Sequence, residues 1–295
     1  MVVRLRAFNL GEPVPELNGP HAFAIIRPWI DAGSVASLTL SCLETDLGGK
    51  ELARLVRPGN FFDLTRYRPT LRREEDRVEV EVPNAVINYG RQKEDRDFLF
   101  LRLLEPHMLA EAYVASVMEL LKTFSVKRYC LLGSMYDIVP YTRPLLVTGR
   151  ASNLVLQNEL EVAKVVPSDY QGPTTILHLI EQRALQLGME TLSLVVHLPN
   201  YLMMAEDYRG VGRLMEVLHS LYGLAMSQAD VEKANEQEEQ VSQLAEQIMQ
   251  QEPRLRLALK QLEANYDSRF KEEKEETRLS PEVEKFLQDL DKRFG

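Results

Sequence analysis

The run HAFAIIR (21–27) is apolar without a break and stops at Pro28; similar runs return at DFLFLRLL (97–104), KRYCLLG (127–133) and TLSLVVHL (191–198). Unbroken apolar runs of this length, closed by turn residues, suit strands buried on both faces. RVEVEV (77–82) alternates instead, as a half-exposed strand should, and ELARLVR (51–57), PLLVTGRA (144–151) and EVAKVV (161–166) complete the predicted strands. Between them the period changes. Residues 108–124 place Leu109, Tyr113, Val117, Leu120 and Leu121 on one helical face. Further helices are predicted over 31–47, from Gly172-Pro173 to Leu187, and over 206–227; a proline in a first turn costs no hydrogen bond. Strands spaced by helices of this length need crossover connections, which predicts an α/β fold with a mostly parallel, covered sheet.

The pattern changes again near residue 228. Val241, Leu244 and Ile248 recur at helical spacing, as do Leu255, Leu259, Leu262 and Tyr266 beyond the break at Pro253. These are narrow apolar stripes on polar helices. KEEKEE (271–276) reads as a solvated charge run or a flexible link. SPEVEKFLQDL (280–290) predicts a short last helix with Ser280 as N-cap. Charge shifts at the same place: 17 Asp/Glu face 11 Lys/Arg in residues 229–295, a net of −6 out of −9 for the whole chain. We therefore divide the chain into an α/β unit (1–228) and a C-terminal helical extension (229–295), a helical hairpin with a short last helix. Its stripes must pack on the main unit or on another subunit.

A net charge of −9 gives no basic face for nucleic acid, and no Lys/Arg cluster flanks an apolar helix for a membrane surface. No segment approaches a membrane span or resembles a signal peptide, so the expected location is the cytoplasm. Cys42 and Cys130 sit in apolar contexts and are expected as buried free thiols.

The search for known chemistry is mostly negative. GGKE (48–51) lacks the first glycine and the Ser/Thr of a phosphate loop, and GVGRLM (210–215) has Met215 where a dinucleotide fingerprint has its third glycine, so it reads as a tight turn. Five histidines and two cysteines show no paired metal spacing, and Ser134 lacks the flanking glycines of a nucleophile elbow. No cofactor and no metal is expected. Three strand ends nevertheless carry polar clusters: LLEPHM (103–108), GSMYDIVPYTRP (133–144) and HLPNY (197–201). In a parallel sheet these ends share one edge, so Glu105, Ser134, Tyr136, Arg143, His197, Asn200 and Tyr201 are the candidate pocket. Acid–base or anion-binding work would suit Glu105, His197 and Arg143. The competing reading is that Pro106, Pro140, Pro144 and Pro199 shape loops whose backbone these side chains satisfy.

Several ordered segments carry a family likeness: AIIRPWIDAGSVA (24–36), FFDLTRYRPT (61–70), LLEP (103–106), LLGSMYDIVPYTRP (131–144), YQGPTTI (170–176), VVHLPNYL (195–202) and LEANYD (262–267). Through them the chain resembles the proteasome assembly chaperone 2 family, in its bacterial branch. It departs from that pattern at Leu104, where a glycine is common, and at Asn200, where a histidine is common. DKRFG also lacks the hydrophobic–Tyr–any ending by which some archaeal members dock onto proteasomes. The resemblance implies a three-layer α/β/α sandwich, similar in outline to purine nucleoside phosphorylases and related hydrolases. Together with the absent catalytic signature and the narrowly amphipathic tail, it points to a non-enzymatic, assembly-chaperone-like interaction protein that self-associates as a homo-oligomer, with another protein as a further candidate partner. The alternative is an enzyme or small-ligand binder, taking a nucleoside- or phosphate-containing ligand at the carboxyl edge of the sheet.

Overall fold

A computed structural model describes residues 3–74, 77–92, 96–251 and 253–276. The strands are β1 (Val3–Leu5), β2 (Phe8–Leu10), β3 (His21–Arg27), β4 (Lys50–Leu55), β5 (Thr70–Glu74), β6 (Arg77–Glu81), β7 (Val86–Gln92), β8 (Arg96–Leu104), β9 (Arg128–Asp137), β10 (Val147–Ala151), β11 (Val166–Pro167) and β12 (Glu190–Pro199). The helices are α1 (Val35–Asp46), α2 (Ala110–Thr123), α3 (Leu154–Val162), α4 (Ile176–Gln186), α5 (Tyr208–Tyr222), α6 (Gln228–Gln251) and α7 (Pro253–Glu276). Ten strands form one sheet in the order β1-β2-β4-β7-β8-β3-β9-β12-β10-β11, and β5 pairs only with β6.

The sheet is mixed, which corrects the expectation of a mostly parallel one. Only β8-β3, β3-β9, β9-β12 and β10-β11 are parallel; β1-β2, β2-β4, β4-β7, β7-β8 and β10-β12 are antiparallel. The cause is local. β1 and β2, like β7 and β8, are separated by too few residues for a crossover, and a hairpin must reverse direction. The parallel centre keeps the unbroken apolar runs. Alternate residues of β3 feed two buried clusters, one on each face of the sheet: Ala22, Ala24 and Ile26 face α2 and α4, while Phe23 and Ile25 face α1, α3 and α5.

α5 shows how sequence fixes a helix here. Asp207 accepts hydrogen bonds from the Arg209 and Gly210 amides (3.1 and 3.0 Å), and Gly223 ends the helix in the left-handed region (φ 69°). The buried face is Val211, Leu214, Met215, Val217 and Leu218. Gly210 and Gly212 lie in this helix, not in a turn. A Cβ at Gly210 would stand 2.5 Å from Val35 Cγ2, so glycine lets α5 approach α1. EVAKVV is likewise not one strand. α3, capped by Asn153 accepting from the Leu156 amide, takes Glu161 and Val162, and only Val166 falls in β11.

α6 and α7 lie against the strand-end loops of the main unit. Val241 and Ala245 bury against Tyr141 and Leu202, joined by Met204 and Leu259, while Leu244 stays 46% exposed. α7 continues through residues 271–276, so the charge run is helical. The short last helix expected at 280–290 lies outside the described residues.

Candidate functional site

β8, β3, β9 and β12 are mutually parallel neighbours, so their carboxyl ends do lie along one edge. The candidate side chains reach that edge but turn to separate tasks. Glu105 accepts from the Ile176 amide (3.0 and 3.2 Å), filling the N-terminus of α4 where Thr175 makes no side-chain cap. Burial raises its pKa above the ordinary carboxyl value, against the pull of that amide. Ser134 is fully buried and donates to the Ala32 carbonyl (2.7 Å), tying the end of β9 to the loop after β3. Tyr136 donates to the Met204 carbonyl (3.1 Å). Tyr201 donates to the Val139 carbonyl (2.9 Å) and accepts from the Tyr141 amide (3.1 Å), and burial raises its pKa. Asn200 is exposed, and its amide donates to the Asp137 carbonyl (3.0 Å). Arg143 turns to α7, donating to both carboxylate oxygens of Asp267 at 2.9 Å and to Glu263 at 3.3 Å.

One constellation does converge. His197 Nδ1 stands 2.8 Å from Asp137 Oδ2, and His197 Nε2 stands 2.9 Å from Thr148 Oγ1. Burial works to raise the Asp137 carboxyl, but the His197 ring and the Ile138 amide outweigh it and hold its pKa below the ordinary value. Asp137 belongs to a recognised strand-end cluster yet is not among the seven candidates, and Thr148 is in neither. Parity and register could have found it: Thr148 pairs with Val195 in antiparallel β10-β12, so it lies diagonally from His197 on the same face. The order hydroxyl, imidazole, carboxylate is that of a base-activated nucleophile. The imidazole is nevertheless only 10% exposed, and clefts of about 590, 640, 600 and 1020 Å³ elsewhere on the surface include none of the three residues.

The same edge presents a second kind of residue. Trp29 follows β3 and is 57% exposed; Ile138 follows β9 at 65%; Tyr201 and Met203 follow β12 at 44% and 68%. Among the described residues no group of three or more His, Cys, Asp and Glu could hold a metal ion, and no helix is long and apolar enough to cross a membrane. Cys42 and Cys130 are buried free thiols.

Fold and edge together define an α/β protein whose strand-end polar groups are largely spent on joining loops. The chain belongs to the PAC2 family, whose family model matches residues 25–247. Its fold is shared with the Mycobacterium tuberculosis protein of unknown function Rv2714, which is 23% identical with a TM-score of 0.77 and 93% of each chain covered. A PAC2 family protein from Streptomyces avermitilis is also similar (23% identity, TM-score 0.70, covering 77% of this chain and 96% of that one). So is the Mycobacterium tuberculosis proteasome-assembly chaperone homologue Rv2125 (19% identity, TM-score 0.67, 75% and 94%). At these identities the likeness is one of fold. No curated protein matches the chain.

Proposed function

We propose that this chain is a non-enzymatic, chaperone-like interaction protein that self-associates through the carboxyl edge of its sheet. The observation that carries this reading is the row of exposed Trp29, Ile138, Tyr201 and Met203 beyond three adjacent strands. Large aromatic and thioether side chains are enriched in interface cores, and an exposed row of them marks an association surface. The polar candidates support it from the other side, because Glu105, Ser134, Tyr136, Arg143 and Tyr201 all have internal partners. Membership in a family with a proteasome-assembly chaperone homologue supports protein partners over small molecules. Helices on both faces of the sheet support reading residues 1–228 as a three-layer α/β/α sandwich. Residues 229–295 are then an extension whose helices α6 and α7 dock on its edge, and the whole acts in the cytoplasm.

Trp29 is the sole tryptophan, which supplies a direct reporter. Its emission is expected to shift to shorter wavelength as protein concentration rises through the association range. Association without any change in emission would contradict this edge as the interface. The Thr148–His197–Asp137 series is the observation at this edge that favours the alternative, an enzyme or small-ligand binder acting there. Covalent labelling of Thr148 by a fluorophosphonate would replace the first reading with that one.

A further inference from the structure

α5, α6 and residues 141–145 of the loop after β9 line a cleft of about 640 Å³, a volume in the range of small-molecule sites. Three guanidinium groups line it, Arg143 from the loop and Arg209 and Arg213 from α5, together with three carboxylates, Glu216, Glu238 and Glu246. Arg143 and Arg213 are well supplied with acceptors. Arg143 has Asp267, while Arg213 has the Leu145 and Lys164 carbonyls and Glu216 (3.0, 3.3 and 3.0 Å).

Arg209 is different. Its side chain is 3% exposed, and only Nη2 has a close acceptor, Asp207 Oδ2 at 3.0 Å. Nε has no hydrogen-bond partner, and Nη1 has only Glu238 at 3.7 Å, beyond hydrogen-bond length. A buried guanidinium nitrogen with no acceptor is costly, and such a group calls for a specific explanation. Asp207 cannot supply the missing acceptors. It is itself 1% exposed and already accepts from the Arg209 and Gly210 amides.

We propose that this cleft binds a small anion bearing phosphate or carboxylate groups, with Arg209 at its buried wall and Arg213 beside it. Guanidinium forks match the planar, multi-acceptor geometry of such groups better than any other side chain does. Glu238, 54% exposed on α6, holds the place an anionic ligand oxygen would take, at a distance too long to satisfy Arg209 itself. The ligand would displace it into solvent.

The test is isothermal titration calorimetry of the full chain with pyrophosphate and with citrate, each against chloride at matched ionic strength. Saturable binding of pyrophosphate identifies a phosphate ligand, and of citrate a carboxylate ligand. Glu238→Gln removes the competing carboxylate and should tighten binding several-fold. Arg213→Met should weaken binding roughly tenfold or more. It leaves the buried Arg209–Asp207 pair intact, and an unchanged melting temperature verifies its fold. The proposal is overturned if neither anion binds saturably at up to about 10 mM, a limit corresponding to only a few kcal/mol, in either the wild type or Glu238→Gln. Binding that both substitutions leave unchanged would also overturn it.

Discussion

His21 shows most plainly how one residue couples this fold to pH. It opens β3, is 8% exposed, lies edge-on to Phe98 and Tyr222, and has a buried Nδ1 with no hydrogen-bond partner. Burial first, and then the charges of Arg128 and Arg96, push its pKa down from 6.5 to about 3. A lowered folded value means that the fold holds the ring neutral. Its contribution is therefore complete above about pH 6.5 and drains away as pH falls toward 3, by up to about 1.4 kcal/mol per unit. Denaturant melts between pH 7 and 4 should show His21→Leu losing less stability per pH unit than the wild type; equal slopes would contradict this. Residue roles of this kind were only partly legible. Glu105, Arg143 and His197 were visible as chemically apt side chains at strand ends. That Glu105 caps α4 and Arg143 grips α7 depends on contacts 71 and 124 residues apart, which no local pattern encodes. Thr148 escaped because its partner lies across a sheet pairing assumed to be parallel.

At the scale of elements, α6 and α7 are held to the main unit chiefly by polar groups. Arg143 binds Asp267 and Glu263, Thr142 donates to Glu263 (2.5 Å), Tyr266 donates to the Pro144 carbonyl (2.8 Å), and Gln237 bridges the Tyr208 amide and the Glu206 carbonyl. Among the described residues, the buried apolar contact is the cluster around Val241 and Ala245. Arg143→Met should raise amide exchange in α6 and α7 several-fold while the central strands stay protected. In the wild type, salt at about 0.5 M should move exchange the same way, because exposed ion pairs are screened. Unaltered exchange in both cases would show that the apolar contacts alone hold the pair. Periodicity made the central strands and most of the helices legible, since each buries a face of fixed period. The strands β1, β2, β5 and β7 were not, because their runs are short or of mixed polarity; the antiparallel pairing of β1, β2 and β7 is part of what makes the sheet mixed. EVAKVV misled because its β-branched residues straddle a helix end.

For the whole molecule, polar groups close the loops at the carboxyl edge, α6 and α7 cover one side of it, and apolar side chains remain on show. Acidic excess in residues 229–295 disfavours indiscriminate contact, which leaves the uncovered row as the proposed association surface. That row was not legible in the sequence, since Trp29, Ile138 and Met203 lie in three separate loops, each beside an apolar neighbour that is more buried (Ile30, Val139 and Leu202). Only the strand order brings those loops to one edge. Sedimentation velocity of the full chain over a concentration series, beside a Trp29→Ser/Met203→Ser double variant, tests the central claim most directly. The account predicts a wild-type multimer and a variant that sediments as a monomer with an unchanged melting temperature. A wild type that stays monomeric throughout, or a variant as associated as the wild type, would contradict it.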